Sequence, residues 1–315
     1  MKKISILAVF TLVVSTGFAQ QQQLFSLFQF FKQGFNPAYV GSAGMFAGTF
    51  DYRTQWVNTE GAPNSFNAGV HGLLSSGRTR LPHHAAGLTF SNDQIGVTQS
   101  NVAALQYAYR ISLTQKTVLS FGVQASYGQT VNNFGNLEAA NEPDPMANGR
   151  QKNSNSNIGT GIYMYSSRFF AGLSTPTLLK SSKDLSGNLV GLKNTQHYYL
   201  MAGYLFPLTT DFKLRLSGLY KTSVLKNGQL PDVADLNASA IFMDRFLLGF
   251  SYRTDNTVLA MTQIQLTRLL NVGYGFDFNT ANIGSRAGVS HEIMIGFNVT
   301  GSKAAFTTPR FVTYF

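Results

Sequence analysis

Catalysis or metal binding needs acids, bases, nucleophiles or ligands that converge, and this sequence has few candidates. It has five histidines. His83 and His84 are neighbours, and successive side chains of an extended chain point to opposite faces, so the pair does not converge on one metal. The same objection applies to His291-Glu292, with Glu292 assigned inward and His291 toward a rim. The tract Asn141-Glu142-Pro143-Asp144-Pro145 carries oxygen ligands suited to calcium, yet its prolines read more simply as a surface loop. The patterns G-x-S-x-G, G-x-x-x-x-G-K and H-E-x-x-H are absent. No catalytic residue, metal site or cofactor is expected, and the chain does not read as an enzyme.

Charge is more informative. Arg53, Arg110, Lys213, Arg215, Lys221 and Arg253 fall on the polar faces of alternating segments, as do Asp51, Asp277 and Glu292. Two readings stay open. The charges pair with one another inside a closed lumen, or the cations form a cavity that receives an acidic or polar partner. The formal net charge is +10, or +8 without Lys2 and Lys3. Its basic residues are scattered, and a secretory signal precedes them, which argues against a nucleic-acid partner.

The elements that position these charges are strands. In Leu119-Ser-Phe-Gly-Val-Gln-Ala-Ser-Tyr-Gly128, one face is Leu119, Phe121, Val123, Ala125 and Tyr127, and the other is small and polar. The same period of two recurs through the chain, in about 14 segments of roughly 8–13 residues, the length a tilted strand needs to cross a bilayer. Gaps alternate by parity: LTQKT and PLTTD are tight, whereas 130–155 and 176–196 are long. Short turns on one side and longer loops on the other characterise outer-membrane barrels. Two gaps disobey: 75–83 is too long and 254–256 too short.

Composition agrees. Only 12% of the 315 residues are charged, while Gly (30), Phe (26) and Tyr (14) are abundant. A soluble sandwich would carry more charge on its outer faces, so lipid is the expected solvent of the apolar ones. Residues 1–19 read as a signal peptide: Lys2 and Lys3, the apolar run Ile4 to Val14, and the cleavage site Gly17-Phe18-Ala19. No later run reaches the length of a transmembrane helix. With no cysteine there is neither a disulfide nor a lipid-modified N-terminus. The expected organisation is a lead-in or plug over 20–44, an antiparallel transmembrane β-barrel over 45–299 and a tail over 300–315. The expected location is the outer membrane.

Before the first strand lies Phe35-Asn36-Pro37-Ala38-Tyr39-Val40-Gly41-Ser42, in which Asn-Pro starts a turn and Gly41 permits a second bend. Arg53 and Trp56 follow in Tyr52-Arg-Thr-Gln-Trp56, then Asn92-Asp-Gln-Ile-Gly96. Two hairpins share R-F-x-x-G-x-S, from Arg168 and from Arg245. Tyr274-Gly-Phe-Asp277 and Ser290-His-Glu-Ile-Met-Ile-Gly296 complete the set. In this order and spacing the chain resembles the PorP/SprF family of type IX secretion-associated outer-membrane proteins. Its family-motif residues here are Asn36, Pro37, Ala38, Tyr39, Gly41, Ser42, Arg53 and Trp56.

The resemblance implies a non-enzymatic barrel that works with type IX secretion or gliding components. It implies a partner too: the C-terminal signal domain of a secreted surface protein such as an adhesin, exported or retained at the cell surface. On that basis Arg53, Arg110, Lys213, Arg215, Lys221 and Arg253, with the outer loops 130–155 and 176–196, are the expected grip. The alternative is a channel for a small hydrophobic or polar solute, in which the Phe-rich stretch 24–35 acts as a plug.

Overall fold

The computed structural model describes residues 28–74, 83–134, 149–179, 196–225, 228–229, 232–280 and 288–299. The signal segment, the acidic tract 141–145 and the tail 300–315 lie outside the described residues. The first strands are β1 (Phe46–Thr54), β2 (Asn64–Leu73), β3 (His84–Ile95), β4 (Thr98–Ser112) and β5 (Thr117–Asn133). Next come β6 (Arg150–Ser166), β7 (Phe169–Thr175), β8 (Gln196–Pro207), β9 (Phe212–Leu225) and the two-residue β10 (Gly228–Gln229). The last are β11 (Val233–Phe242), β12 (Phe246–Arg253), β13 (Thr257–Gln265), β14 (Leu270–Asn279) and β15 (Ser290–Val299).

Every pairing is antiparallel. Apart from β10, which only extends the β9 hairpin, each strand pairs with its neighbours in sequence, and β1 pairs with β15 from Phe46↔Val299 to Thr54↔His291. Fourteen strands therefore close into one barrel that leaves no full-length edge. An even number of strands puts the start of β1 and the end of β15 on the same side, the side of the tight turns, which faces the periplasm.

Three of those turns share a local cause. Leu113-Thr114, Leu208-Thr209 and Leu266-Thr267 each leave a strand, and each Thr hydroxyl accepts the backbone N–H three residues on, at 3.0 Å. Each Leu N–H donates across the turn to the first residue of the next strand, at 3.0–3.1 Å. The threonine replaces one turn of backbone bonding and fixes the register of both strands.

Side chains sort as the alternation requires. Phe50, Tyr52, Leu88, Phe90, Leu105, Phe121, Val123, Leu200, Leu236, Leu248, Phe250 and Ile293 are exposed on the outer wall, forming the lipid-facing band. Asp51, Arg53, Asn67, Gln106, Asn157, Arg215, Lys221, Asp235 and Glu292 are buried on the inner face.

Two sequence expectations are revised. The long outer tract 130–155 is shortened from both ends, because β5 runs to Asn133 and β6 begins at Arg150, with Asn133↔Arg150 in register. Likewise the expected gap over 95–100 shrinks: β3 and β4 meet at a two-residue turn in which Gly96 takes φ 55°. The hydrophobic period fades there because backbone pairing continues above the lipid, where the outer face no longer needs apolar side chains.

Candidate functional site

The lumen is occupied by the chain's own residues 28–44. Two short 3₁₀ turns, Lys32–Gly34 and Pro37–Tyr39, fold this segment into a knot of aromatics. Phe28, Phe31, Phe35 and Tyr39 pack with Tyr163, Phe170, Tyr199, Met201 and Leu219 on one wall. Phe30 packs with Leu205, Ile241, Leu247, Leu259, Met261 and Met294 on the opposite one. Val40 joins Ala85 and Ala108. The segment thus reaches strands around most of the circumference and bridges the lumen from wall to wall.

Glycines admit it. A Cβ on Gly122 would stand 2.2 Å from the Ala38 nitrogen, one on Gly161 2.2 Å from Asn36 Oδ1, and one on Gly172 2.8 Å from Asn36 Nδ2. These glycines face inward on three consecutive strands, and Asn36 sits in the niche they leave. Its Oδ1 accepts from Ala38 N at 2.9 Å, capping the second 3₁₀ turn, and its Nδ2 donates to the Ile162 carbonyl at 3.0 Å. Gly41, at φ 81°, donates its N–H to His71 Nδ1 at 3.1 Å. Tyr39 makes edge contacts with His71 and Tyr163, at 5.4 and 5.5 Å between centroids.

A glutamine chain ties the knot to the wall. Gln33 Nε2 donates to Gln106 Oε1 at 2.9 Å, Gln106 Nε2 to Gln124 Oε1 at 2.9 Å, and Gln124 Nε2 to the Pro176 carbonyl at 3.0 Å. Beside the knot, a cavity of about 30 Å³ between Phe30, Tyr39, His71 and Met294 is large enough for one water.

Above the knot, toward the outer loops, the lumen is polar and internally paired. Arg53 donates to Asp277 at 2.6 Å and to Glu292 at 2.9 Å, and all three are buried. Asn67 donates to Asp51 beside them, at 3.3 Å. Arg253 donates from Nε and Nη2 to Asp235, at 3.2 and 3.0 Å. Charges removed from water at this depth need such partners.

The six expected cations are not brought together. Arg53, Lys221 and Arg253 lie in the outer half of the lumen. Arg215 lies lower and donates to the Ser239 hydroxyl at 3.1 Å. Arg110, near the inner end, donates to the Tyr165 hydroxyl, and Lys213 pairs with Asp244 at the periplasmic rim. His83 and His84 both lie against the Tyr109 ring, at 6.0 and 5.3 Å between centroids. His84 bonds Tyr107 and His291 bonds Tyr274, at opposite rims of the outer wall.

With the geometry in view, comparison with known proteins decides the family. The model of the family described as type IX secretion system membrane protein PorP/SprF matches residues 17–297. The chain belongs to the PorP/SprF family. It is therefore an outer-membrane barrel associated with type IX secretion. A comparison with curated proteins finds no match. Among solved structures it is similar to the Acinetobacter baumannii outer membrane protein Omp33, at 9% identity and TM-score 0.47, covering 81% of this chain and 98% of that one. It is also similar to the P. putida toluene transporter TodX, at 9% identity and TM-score 0.46, covering 84% and 93%. A Pseudomonas aeruginosa FadL homologue aligns at 11% identity and TM-score 0.44, over 83% and 91%.

The residues that carried the resemblance to PorP/SprF proteins have structural assignments here. Asn36, Pro37, Ala38 and Tyr39 form the capped turn inside the glycine niche, Gly41 bonds His71, and Ser42 N–H donates to the Tyr39 carbonyl at 3.0 Å. Arg53 organises the buried carboxylates. Trp56 stands at the outer rim between β1 and β2 with φ 46°, a conformation unusual for a bulky side chain. Sequence reasoning missed Asp235 as the partner of Arg253. The signal was available, because two-residue alternation places both on inner faces, and in the hairpin they face each other.

Proposed function

We propose that this PorP/SprF protein is an anchor, not an open pore: it holds the C-terminal signal domain of a secreted surface protein, an adhesin among the candidates, at the outer face of the outer membrane. The observation that carries this reading is the 28–44 segment bridging the lumen from wall to wall, with a polar vestibule left on the side of the long loops. A solute path would have to displace an aromatic knot held on two walls. A protein partner needs only the outer rim and vestibule.

Contacts with other type IX secretion or gliding components belong to the same reading, and the chemistry is binding without catalysis. Because Arg53 and Arg253 are already held by carboxylates, partner contact shifts from the deep lumen to rim and loop backbone. The test is gentle detergent purification of the tagged protein from its native outer membrane, with mass spectrometry of bound proteins and conductance in planar bilayers. Near-stoichiometric recovery of a surface protein through its C-terminal region, with a non-conducting barrel, is the expected result. A clean barrel with steady conductance would overturn it in favour of a solute channel.

A further inference from the structure

The barrel wall has one lane that stops short. β7 has seven residues, whereas its neighbour β6 has 17. Their pairing runs from Tyr165↔Phe170 to Thr160↔Thr175 and then ends. Pro176 has no N–H to continue the ladder, and its carbonyl turns inward to Gln124. One further bond follows, from Leu178 N–H to the Ile158 carbonyl at 2.8 Å. Asn157 then closes the lane. Its Oδ1 accepts from Ile158 N and Leu179 N, and its Nδ2 donates to the Leu179 carbonyl, each at 2.9 Å.

Beyond Asn157 the strand keeps going. Residues 150–156 remain paired with β5 on one side. The Ile158 carbonyl points into the lane, so by strand alternation the N–H and C=O groups of Lys152, Ser154 and Ser156 point the same way. Among the described residues nothing pairs with them there. The outward residues change from Ile158 and Ile162 to Ser156, Ser154, Lys152 and Arg150, so this stretch stands outside the lipid. At about 3.3 Å per residue, this edge, unpaired among the described residues, is about 20 Å long.

Exposed edges template strand addition, and proteins usually blunt them. Here the strand tip carries two positive charges, Arg150 and Lys152, in a chain of net charge +8 without Lys2 and Lys3. That opposes pairing with a second copy and favours an acidic segment. We propose that residues 150–156 of β6 are the docking edge for an extended, acidic segment of the secreted partner, which adds as a strand in the lane left by β7. This rests on the anchor reading above and assigns its contact surface.

The test uses the full-length protein in its native membrane. Ser156→Pro and Ser154→Pro each remove an N–H that faces the lane and leave the β5 ladder intact, whereas Asn153→Pro breaks that ladder. Retained surface protein should fall about tenfold in the two lane variants, with the heat-modifiable gel shift of the barrel unchanged. Lys152→Glu should weaken retention in a salt-dependent way. A photo-crosslinker at position 154 should mark a single acidic stretch of the partner whose alternate residues share one face.

If the unmodified protein retains no partner, the anchor reading itself fails. If it retains one and both lane prolines retain it equally, only the edge assignment fails. A crosslink confined to this chain's own residues 180–195, or to a second copy, would also overturn the assignment.

Discussion

Arg53 donates to two buried carboxylates, so its loss removes the cation that Asp277 and Glu292 share in the lumen. Arg53→Met is expected to lower stability by about 3–5 kcal/mol, read from the denaturant midpoint of the detergent-folded barrel. Arg53→Lys should recover part of that loss, because it restores the charge without the two-pronged fork. At Gly122 the constraint is space. Gly122→Val would drive a branched side chain into the Pro37-Ala38 backbone at a cost of about 1–3 kcal/mol. The barrel should still form, but the knot should loosen, with conductance rising above that of the unmodified protein in planar bilayers. At this scale the chemistry of each residue was legible but its partners were not. Gly122 was visible as a small inward residue, but that it makes room for Asn36-Pro37-Ala38 depends on a contact across more than 80 positions, which no local pattern records.

The strands were largely legible as elements because lipid on one side and lumen on the other impose a strict period of two. Where that contrast ends, so does legibility. The tops of β5 and β6 read as loop in the sequence because Thr130, Lys152 and Ser154 carry no alternation, though the backbone ladder continues through them. The capped turns Leu113-Thr114, Leu208-Thr209 and Leu266-Thr267 were seen only as tight gaps. The Thr114 hydroxyl accepts from Lys116 N and Thr117 N, at 3.2 and 3.0 Å, so Thr114→Val is expected to lower stability by about 0.5–1.5 kcal/mol in the same denaturant assay. Thr114→Ser should be close to neutral.

At the scale of the molecule, the outer band and the filled lumen make unequal demands on sequence. Leu105 lies midway along β4 and is two-thirds exposed, at 67%. Leu105→Arg should cost about 2–4 kcal/mol in a bilayer. In detergent, where the head group reaches water more easily, the loss should be smaller, and comparing the two media checks the lipid assignment directly. The barrel was readable because lipid acts on every strand at once. The segment before β1 reads in the sequence as a lead-in or plug with a compact turn, but the seat of the knot over 28–44 was not legible, since its bulk is matched by glycines and aromatics scattered over several strands.

The position of Trp56 has an optical consequence. It is the sole tryptophan of the chain and stands at the outer rim, where Val57 N–H bonds the Val289 carbonyl across the β1–β15 seam. Its fluorescence therefore reports the mouth of the unlabelled protein, with the aromatic knot below contributing no indole signal. A partner that covers the vestibule should shift that emission to the blue and shield it from aqueous quenchers; one that docks only on the far wall, along β6, should leave it unchanged.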